Sequence, residues 1–310
     1  MKALLPALLL LLSACGGSSE STETIDPAEV VREARSFEDT SRSTSPNGDF
    51  AGSASRLIGA NLWYAPRQLD AEACSDSGCG LVLLAHGFGG NPDRFDIIAR
   101  SLAARGWIVA AIRFPLTNDQ APGGFSNAIT DVLSQPGDVT FLLDQLVRAS
   151  AEGNGPLAGR IDLTRIGVIG HSLGGATTLA LDRYDCCSDP RIGANFMVAP
   201  ATMILSIFGD PGAQAGGPIL ISVGTADPII PPSMMRDYLV DAPGPWTLAV
   251  MQDYDHVTHV EASDIVPFPG RIEETARLAH AFFLEVLVGE SALDAVLEDL
   301  RTAGHEVSAG

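Results

Sequence analysis

Lysine is almost missing from this chain: the single one is Lys2, inside an apolar N-terminal segment. A chain without a usable lysine has no P-loop lysine, no Schiff-base lysine and no serine–lysine dyad. Positive charge is scarce in general, with 19 Lys and Arg against 38 Asp and Glu, for a net charge of -19. Such acidity repels nucleic-acid phosphates and anionic headgroups, which excludes a nucleic-acid partner. Metal-binding signatures are also missing. There is no H-E-x-x-H and no paired C-x-x-C, so the sequence predicts neither a metal nor any other cofactor. The N-terminal apolar run, Ala3 to Leu12, falls short of the about 20 residues that cross a bilayer as a helix.

What is present begins with that run. Met1-Lys2 gives a short positive start, the apolar stretch is interrupted only by Pro6, and Leu12-Ser13-Ala14-Cys15 follows. The pattern has the length of a signal h-region rather than a core helix. It resembles a bacterial lipoprotein signal. That resemblance implies cleavage before Cys15, lipidation of Cys15 and anchoring in the cell envelope outside the cytoplasm. Ordinary secretion with cleavage near Ala14 is the alternative. Residues Gly16 to Gly52 are rich in Ser, Thr, Glu, Asp and Gly and read as a mostly disordered tether, with a short helix over Pro27 to Phe37. The expected organisation is thus a signal peptide over 1–14, a lipidated tether over 15–52 and a single domain over 53–310.

In an oxidising compartment the other four cysteines tend to be oxidised. Cys74 and Cys79 flank a polar Ser-Asp-Ser-Gly loop and are expected to form a disulfide. For the adjacent Cys186 and Cys187 two readings stay open: one is buried, or each bonds elsewhere.

From Leu57 onward strands and helices alternate. Strands are expected at Leu57–Tyr64, Leu81–Ala85, Trp107–Ile112, Arg165–Ile169, Ala194–Ala199, Ile219–Val223 and Trp246–Met251. Helices are expected at Pro92–Arg105, Ala128–Ala151, Leu173–Tyr184, Pro232–Val240 and Arg271–Val288. Continuous apolar runs such as Leu81–Ala85 fit strands buried on both faces. The alternation predicts an α/β fold, a mostly parallel sheet covered by helices on both faces. The short stretch between Ala199 and Ile219 leaves no room for a large cap domain. Ligands of such sheets bind beyond the carboxyl ends of the strands.

Gly170-His171-Ser172-Leu173-Gly174 matches G-x-S-x-G between a strand and a helix, which marks Ser172 as a nucleophile on a sharp turn. His86-Gly87-Phe88-Gly89-Gly90 follows the Leu81–Ala85 strand. There, Phe88 N–H and Leu173 N–H are the candidate oxyanion donors. His86 reads as a structural histidine that orders this turn, and His171 as packing. Gly224-Thr225-Ala226-Asp227-Pro228 follows the Ile219–Val223 strand and offers Asp227 as the acid. Asp253-Tyr254-Asp255-His256 then offers His256 as the base, in the order serine, acid, histidine that such folds use. His259 is a rival, while Asp253 and Asp255 are expected to favour a charged His256 ring. His280 and His305 read as neutral for function.

Leu62-Trp63-Tyr64-Ala65-Pro66, the His86–Gly90 turn, Gly-His-Ser-Leu-Gly-Gly and Gly-Thr-Ala-Asp-Pro together resemble the α/β-hydrolase superfamily. Within it they resemble bacterial predicted dienelactone hydrolases and the platelet-activating-factor acetylhydrolase and polyester-hydrolase branches, over about Leu57 to Leu287. There are departures. Ser172 stands where true dienelactone hydrolase has cysteine, and His171 stands where polyester hydrolases usually carry an aromatic residue. The resemblance implies hydrolysis of carboxylic esters through an acyl-enzyme, acting on a small ester or lipid-like substrate, with membrane contact through the anchor alone. A peptidase or acyltransferase with the same three residues, or a non-catalytic surface binding protein of the same fold, are the alternatives.

Overall fold

The computed structural model describes residues 23–125, 129–153, 155–212, 216–242, 244–260 and 269–310. The signal segment and Cys15 lie outside the described residues. Strands β1 (Val31–Asp39), β2 (Arg56–Tyr64), β3 (Cys74–Ser75), β4 (Gly78–Ala85) and β5 (Ile108–Arg113) come first. They are followed by β6 (Ile161–His171), β7 (Ala194–Val198), β8 (Ile219–Gly224), β9 (Trp246–Met251) and β10 (Glu306–Ala309). All belong to one sheet in the order β1-β2-β5-β4-β6-β7-β8-β9-β10, with β3 paired to β4 at the side. The centre, β5-β4-β6-β7-β8-β9, is parallel. The margins β1, β2 and β10 run antiparallel to their neighbours.

The central strands are apolar on both faces because both faces are covered. Successive β4 side chains point to opposite sides. Val82 and Leu84 pack with α1 (Asp96–Ala103), α5 (Pro269–Phe283) and α6 (Leu293–Thr302), through Ile98, Leu102, Ala279 and Leu297. Leu81, Leu83 and Ala85 pack with α2 (Gln135–Ala151) through Val139, Leu142 and Leu146. Further along, α3 (Leu173–Arg183) and α4 (Pro232–Val240) cover Met197, Ile221 and Val250 on the α2 side. Among the described residues, the connection from β7 to β8 holds one 3-10 turn, Thr202–Phe208. No helix among the described residues is long and apolar enough to cross a membrane.

The N-terminal segment corrects the sequence reading. The expected helix over Pro27 to Phe37 is instead a 3-10 turn, Pro27–Glu29, followed by β1. The expected tether over 15–52 joins the domain from residue 23 onward. Glu23 N–H donates to Asp70 O at 2.8 Å, and Ile25 N–H to Ala104 O at 3.0 Å. β1 gains its hydrogen bonds from β2 rather than from itself, a long-range partner that local propensity does not register. Beyond β1, Arg42 reaches Asp39 and Asp138, while the buried Arg56 guanidinium binds Asp131 and Asp138. This network of paired buried charges fastens residues 39–56 to α2.

Both cysteine pairs are closed. Cys74 and Cys79 face each other across β3 and β4 and are disulfide-bonded. Cys186 and Cys187 are bonded to one another, an arrangement outside both readings left open by the sequence.

Candidate active site

β6 delivers Ser172 at its carboxyl end, immediately before α3. Ser172 has φ 53° and ψ -114°, a strained conformation for a residue with a Cβ. Neighbouring backbone holds it there. Ser172 N–H donates to Val198 O at 2.9 Å, and Ala201 N–H donates to Ser172 O at 2.9 Å. The glycines of the motif follow from close approach. A Cβ on Gly170 would lie 2.2 Å from Gly174 O, and one on Gly174 would lie 2.1 Å from Ala85 O.

The connections after β8 and β9 are stitched together. Thr225 N–H donates to Met251 O, Ala226 N–H to Tyr254 O, and Asp253 N–H to Thr225 Oγ1, each at 2.9 Å. This places Asp227 and His256 side by side. His256 Nδ1–H donates to Asp227 Oδ2 at 2.8 Å, and Ser172 Oγ lies 3.0 Å from His256 Nε2. A carboxylate only accepts, so Nδ1 carries the ring proton and Nε2 is free to accept from Ser172. Asp227 Oδ1 accepts from Ile229 N–H and Ile230 N–H. Burial works against the Asp227 charge, but the bonds from the His256 ring and those two amides outweigh it and hold its carboxyl below the usual range. The structure therefore brings the three expected residues into one hydrogen-bonded chain.

Asp253 and Asp255 act differently from the expectation. Asp255 Oδ1 accepts from Val257 N–H, Thr258 N–H and the Thr258 hydroxyl, which shapes the turn that presents His256. Asp253 accepts from the Gln252 side chain. His259 is not among the residues that line the cavity over Ser172. It is fully buried, its Nδ1 is 3.3 Å from Ser222 Oγ, its ring packs on Tyr254, and its Nε2 has no partner among the described residues. Burial holds its pKa down at about 3.

A cavity of about 110 Å³ opens over Ser172, lined by Gly87, Phe88, Arg94, His256 and Val257 among others. Of the two amides that the sequence offered as donors, Phe88 belongs to the wall of this cavity and Leu173 follows Ser172 as the first residue of α3; neither donates to a protein acceptor among the described residues. The turn that carries Phe88 is braced by Gly90 N–H to Gly87 O at 2.9 Å and Gly89 N–H to Thr117 O at 2.8 Å. His86 does order this turn: its Nδ1 bonds Gly87 O at 2.7 Å and its Nε2 accepts from Phe114 N–H at 3.2 Å. Burial pushes the pKa of His86 down to about 4. A larger cavity of about 470 Å³, lined by Leu57, Arg113 and Pro122, lies elsewhere and holds no nucleophile–base pair among the described residues.

Sequence reasoning missed three contributions. His171 is more than packing, since its Nε2 donates to His256 O at 2.8 Å and so anchors the backbone of the base. His305 accepts from Gln252 N–H at 2.8 Å and braces the start of the same connection. Arg94 lines the cavity, although no motif marks it. Only the fold brings these residues together, so no local signal announces them. Among the described residues no group of three His, Cys, Asp or Glu side chains is arranged to hold a metal ion.

A strained serine between a parallel strand and a helix, with acid and histidine after two later strands of the same sheet, β8 and β9, defines a class. The alpha/beta hydrolase family model matches residues 82–304, and the chain belongs to that family. Its fold is similar to that of a ferulic acid esterase from Streptomyces cinnamoneus, with a TM-score of 0.64 and 20% identity. The match covers 87% of this chain and 94% of that one. With 1053 solved chains matching, the fold by itself selects no substrate. No curated protein matches the chain.

Proposed function

We propose that the protein is a serine hydrolase of carboxylic esters, with Ser172 as nucleophile, His256 as general base and Asp227 as its orienting acid. The observation that carries this reading is the hydrogen-bonded chain from Ser172 Oγ through His256 to Asp227, open to a cavity at the strand ends. His256 Nε2 takes the serine proton as Oγ attacks the ester carbonyl. Negative charge developing on the carbonyl oxygen is received by the Phe88 and Leu173 amides, whose worth in such sites is about 3 kcal/mol per donor. The imidazolium, stabilised by Asp227, then protonates the leaving alcohol. His256 next activates water, which releases the acid from the acyl-enzyme. The steps use only groups of this chain. The resemblance of its motifs to dienelactone-hydrolase-like and acetylhydrolase-like enzymes supports ester over amide substrates. A fluorophosphonate probe should label the wild type and spare Ser172→Ala, which should also lose p-nitrophenyl ester hydrolysis. Equal labelling of both proteins would refute the mechanism.

The same proposal includes the envelope location. Leu12-Ser13-Ala14-Cys15 supports cleavage before Cys15 and acylation of its sulfur, and several acyl chains suffice for stable anchoring. With the chain fastened to the domain at Glu23, a Cys15 anchor would hold the domain within about 28 Å of the membrane, the reach of eight extended residues. Mass spectrometry of the mature N-terminus should find an acylated cysteine. An unmodified start at another residue would leave simple secretion.

A further inference from the structure

Arg94 sits in the 3-10 turn Pro92–Phe95, between the Phe88 turn and α1. It lines the cavity above Ser172, and its Nε is buried without a hydrogen-bond partner among the described residues. Nearby carboxylates are committed elsewhere. Asp93 is bound to Arg32 and Asn61, Asp96 to Arg100 and Trp63, and Asp119 to Arg113 and Asn91. Among the described residues no Asp or Glu lines the cavity. Three histidines line it as well. His256 is the proposed base, while His86 and His171 are held neutral at pH 7, with burial as the main cause and pKa values pushed down to about 4 and about 3. Among the described residues Arg94 is therefore the one fixed charge at the mouth of the nucleophile, in a protein whose net charge is -19.

A guanidinium facing a cavity with its donors unspent is built to receive an anion, and its planar fork suits a carboxylate best. We propose that Arg94 is a specificity-determining residue that selects esters carrying a compact carboxylate close to the scissile bond; this rests on the ester-hydrolase reading above. The small cavity, about 110 Å³, suits a short dicarboxylic monoester or a carboxylate-bearing aryl ester rather than a long acyl chain. The overall acidity would otherwise repel such a substrate. Arg94 supplies the local attraction that offsets it, and it touches neither the serine proton nor the oxyanion.

The test uses the full folded chain and two matched substrate pairs. The first pair is 4-nitrophenyl hydrogen succinate and its neutral methyl ester, with the carboxylate on the acyl side. The second is 4-butyryloxybenzoate and its neutral methyl ester, with the carboxylate on the alcohol side. The wild type should favour the anionic member of at least one pair by about 10-fold or more in kcat/KM, mostly through KM. Which pair responds tells which side of the ester Arg94 meets. Arg94→Gln should lower that anionic-to-neutral ratio by about 10- to 100-fold, the range for one charge-assisted contact. Arg94→Lys should restore part of the ratio, which a general packing defect would not do. Two results would overturn the proposal while leaving an ester hydrolase intact: no anionic preference in either pair, or a preference that survives in Arg94→Gln. Hydrolysis of none of the four esters by a wild type that also fails to react with fluorophosphonate would overturn the underlying reading as well.

Discussion

Two histidines three residues apart in the connection after β9 lead opposite lives. His256 has both ring nitrogens engaged, one with Asp227 and one with Ser172, and its edge meets the cavity. His259 is sealed behind it, against Tyr254 and Ser222, with one nitrogen unpartnered among the described residues. The residue type is the same, and the local sequence is almost as favourable to either. The residues between them, Val257 and Thr258, are held by the Asp255 carboxylate; His256 before them bonds Asp227 and Ser172, and His259 after them packs on Tyr254. The pair teaches that reactivity here comes from partners and access, whereas the buried ring contributes shape and a dependence on pH.

The largest effect that can break this contrast is on turnover. His256→Ala should lower kcat by about 10⁴-fold or more, the scale for losing one member of a serine–histidine–acid set. Its unfolding midpoint in urea should fall only modestly: the buried Asp227 Oδ2 loses its partner, but the Ile229 and Ile230 amides still hold Oδ1. His259→Ala should keep most of its activity on p-nitrophenyl esters. If His259→Ala were the inactive variant, the base would have to be reassigned; equal mild losses in both would remove the three-residue assignment altogether.

The next effect is on stability and sharpens the same contrast through pH. Burial holds His171 and His259 down at about 3 and His86 at about 4, against about 6.5 for an unfolded chain. Between those values the unfolded chain binds protons that the folded rings refuse. Their contribution is therefore complete above about pH 6.5 and is lost as pH falls toward 4. The loss is on the order of 2 kcal/mol per histidine between pH 7 and 5. Carboxylates held low, such as Asp227 and Asp255, add their own loss only at lower pH. Urea midpoints measured from pH 8 to 5 should fall steeply. His259→Ala should cost about 2–3 kcal/mol at pH 8 through the cavity it leaves, yet show a shallower fall toward pH 5. A wild type whose stability is flat across this range would show that these rings are not buried neutral.

Legibility in the sequence follows the same division between local and long-range causes. The parallel centre was readable because strands buried on both faces, such as Leu81–Ala85 and Ile219–Val223, are continuous apolar runs bounded by turns. The three residues of the Ser172 chain were readable because each follows a strand that carries a recognisable turn. β1 was not readable. Its sequence, Val-Arg-Glu-Ala-Arg-Ser-Phe-Glu-Asp, mixes charge and helix formers, and it becomes a strand only because β2 offers an edge. β10 at the opposite edge went unread for the same reason. Arg94 and the His171 bond to His256 O depend on which elements meet in space, so the chain alone held no sign of them.

The smallest effect concerns the far end of β4, about 20 Å along the strand from the Phe88 turn. The Cys74–Cys79 bond closes a very short loop, so the entropy it removes from the unfolded chain is modest, about 2 kcal/mol. The hairpin also has other holds: Cys79 N–H donates to Arg160 O at 2.7 Å, Gly80 N–H to Ala73 O at 2.8 Å, and Ser75 Oγ to Asp162 at 3.0 Å. The double change Cys74→Ser and Cys79→Ser should therefore lower the unfolding free energy by about 2 kcal/mol and leave ester kcat/KM within about 2-fold, since β4 continues through the core to present His86 and Phe88 unchanged. Non-reducing peptide mapping of the wild type should recover the two cysteines linked, and urea unfolding of the variant should give the shift. A loss above about 4 kcal/mol, or a matching loss of turnover, would mean that the two ends of β4 are coupled and that the catalytic end is not independent of its distant brace.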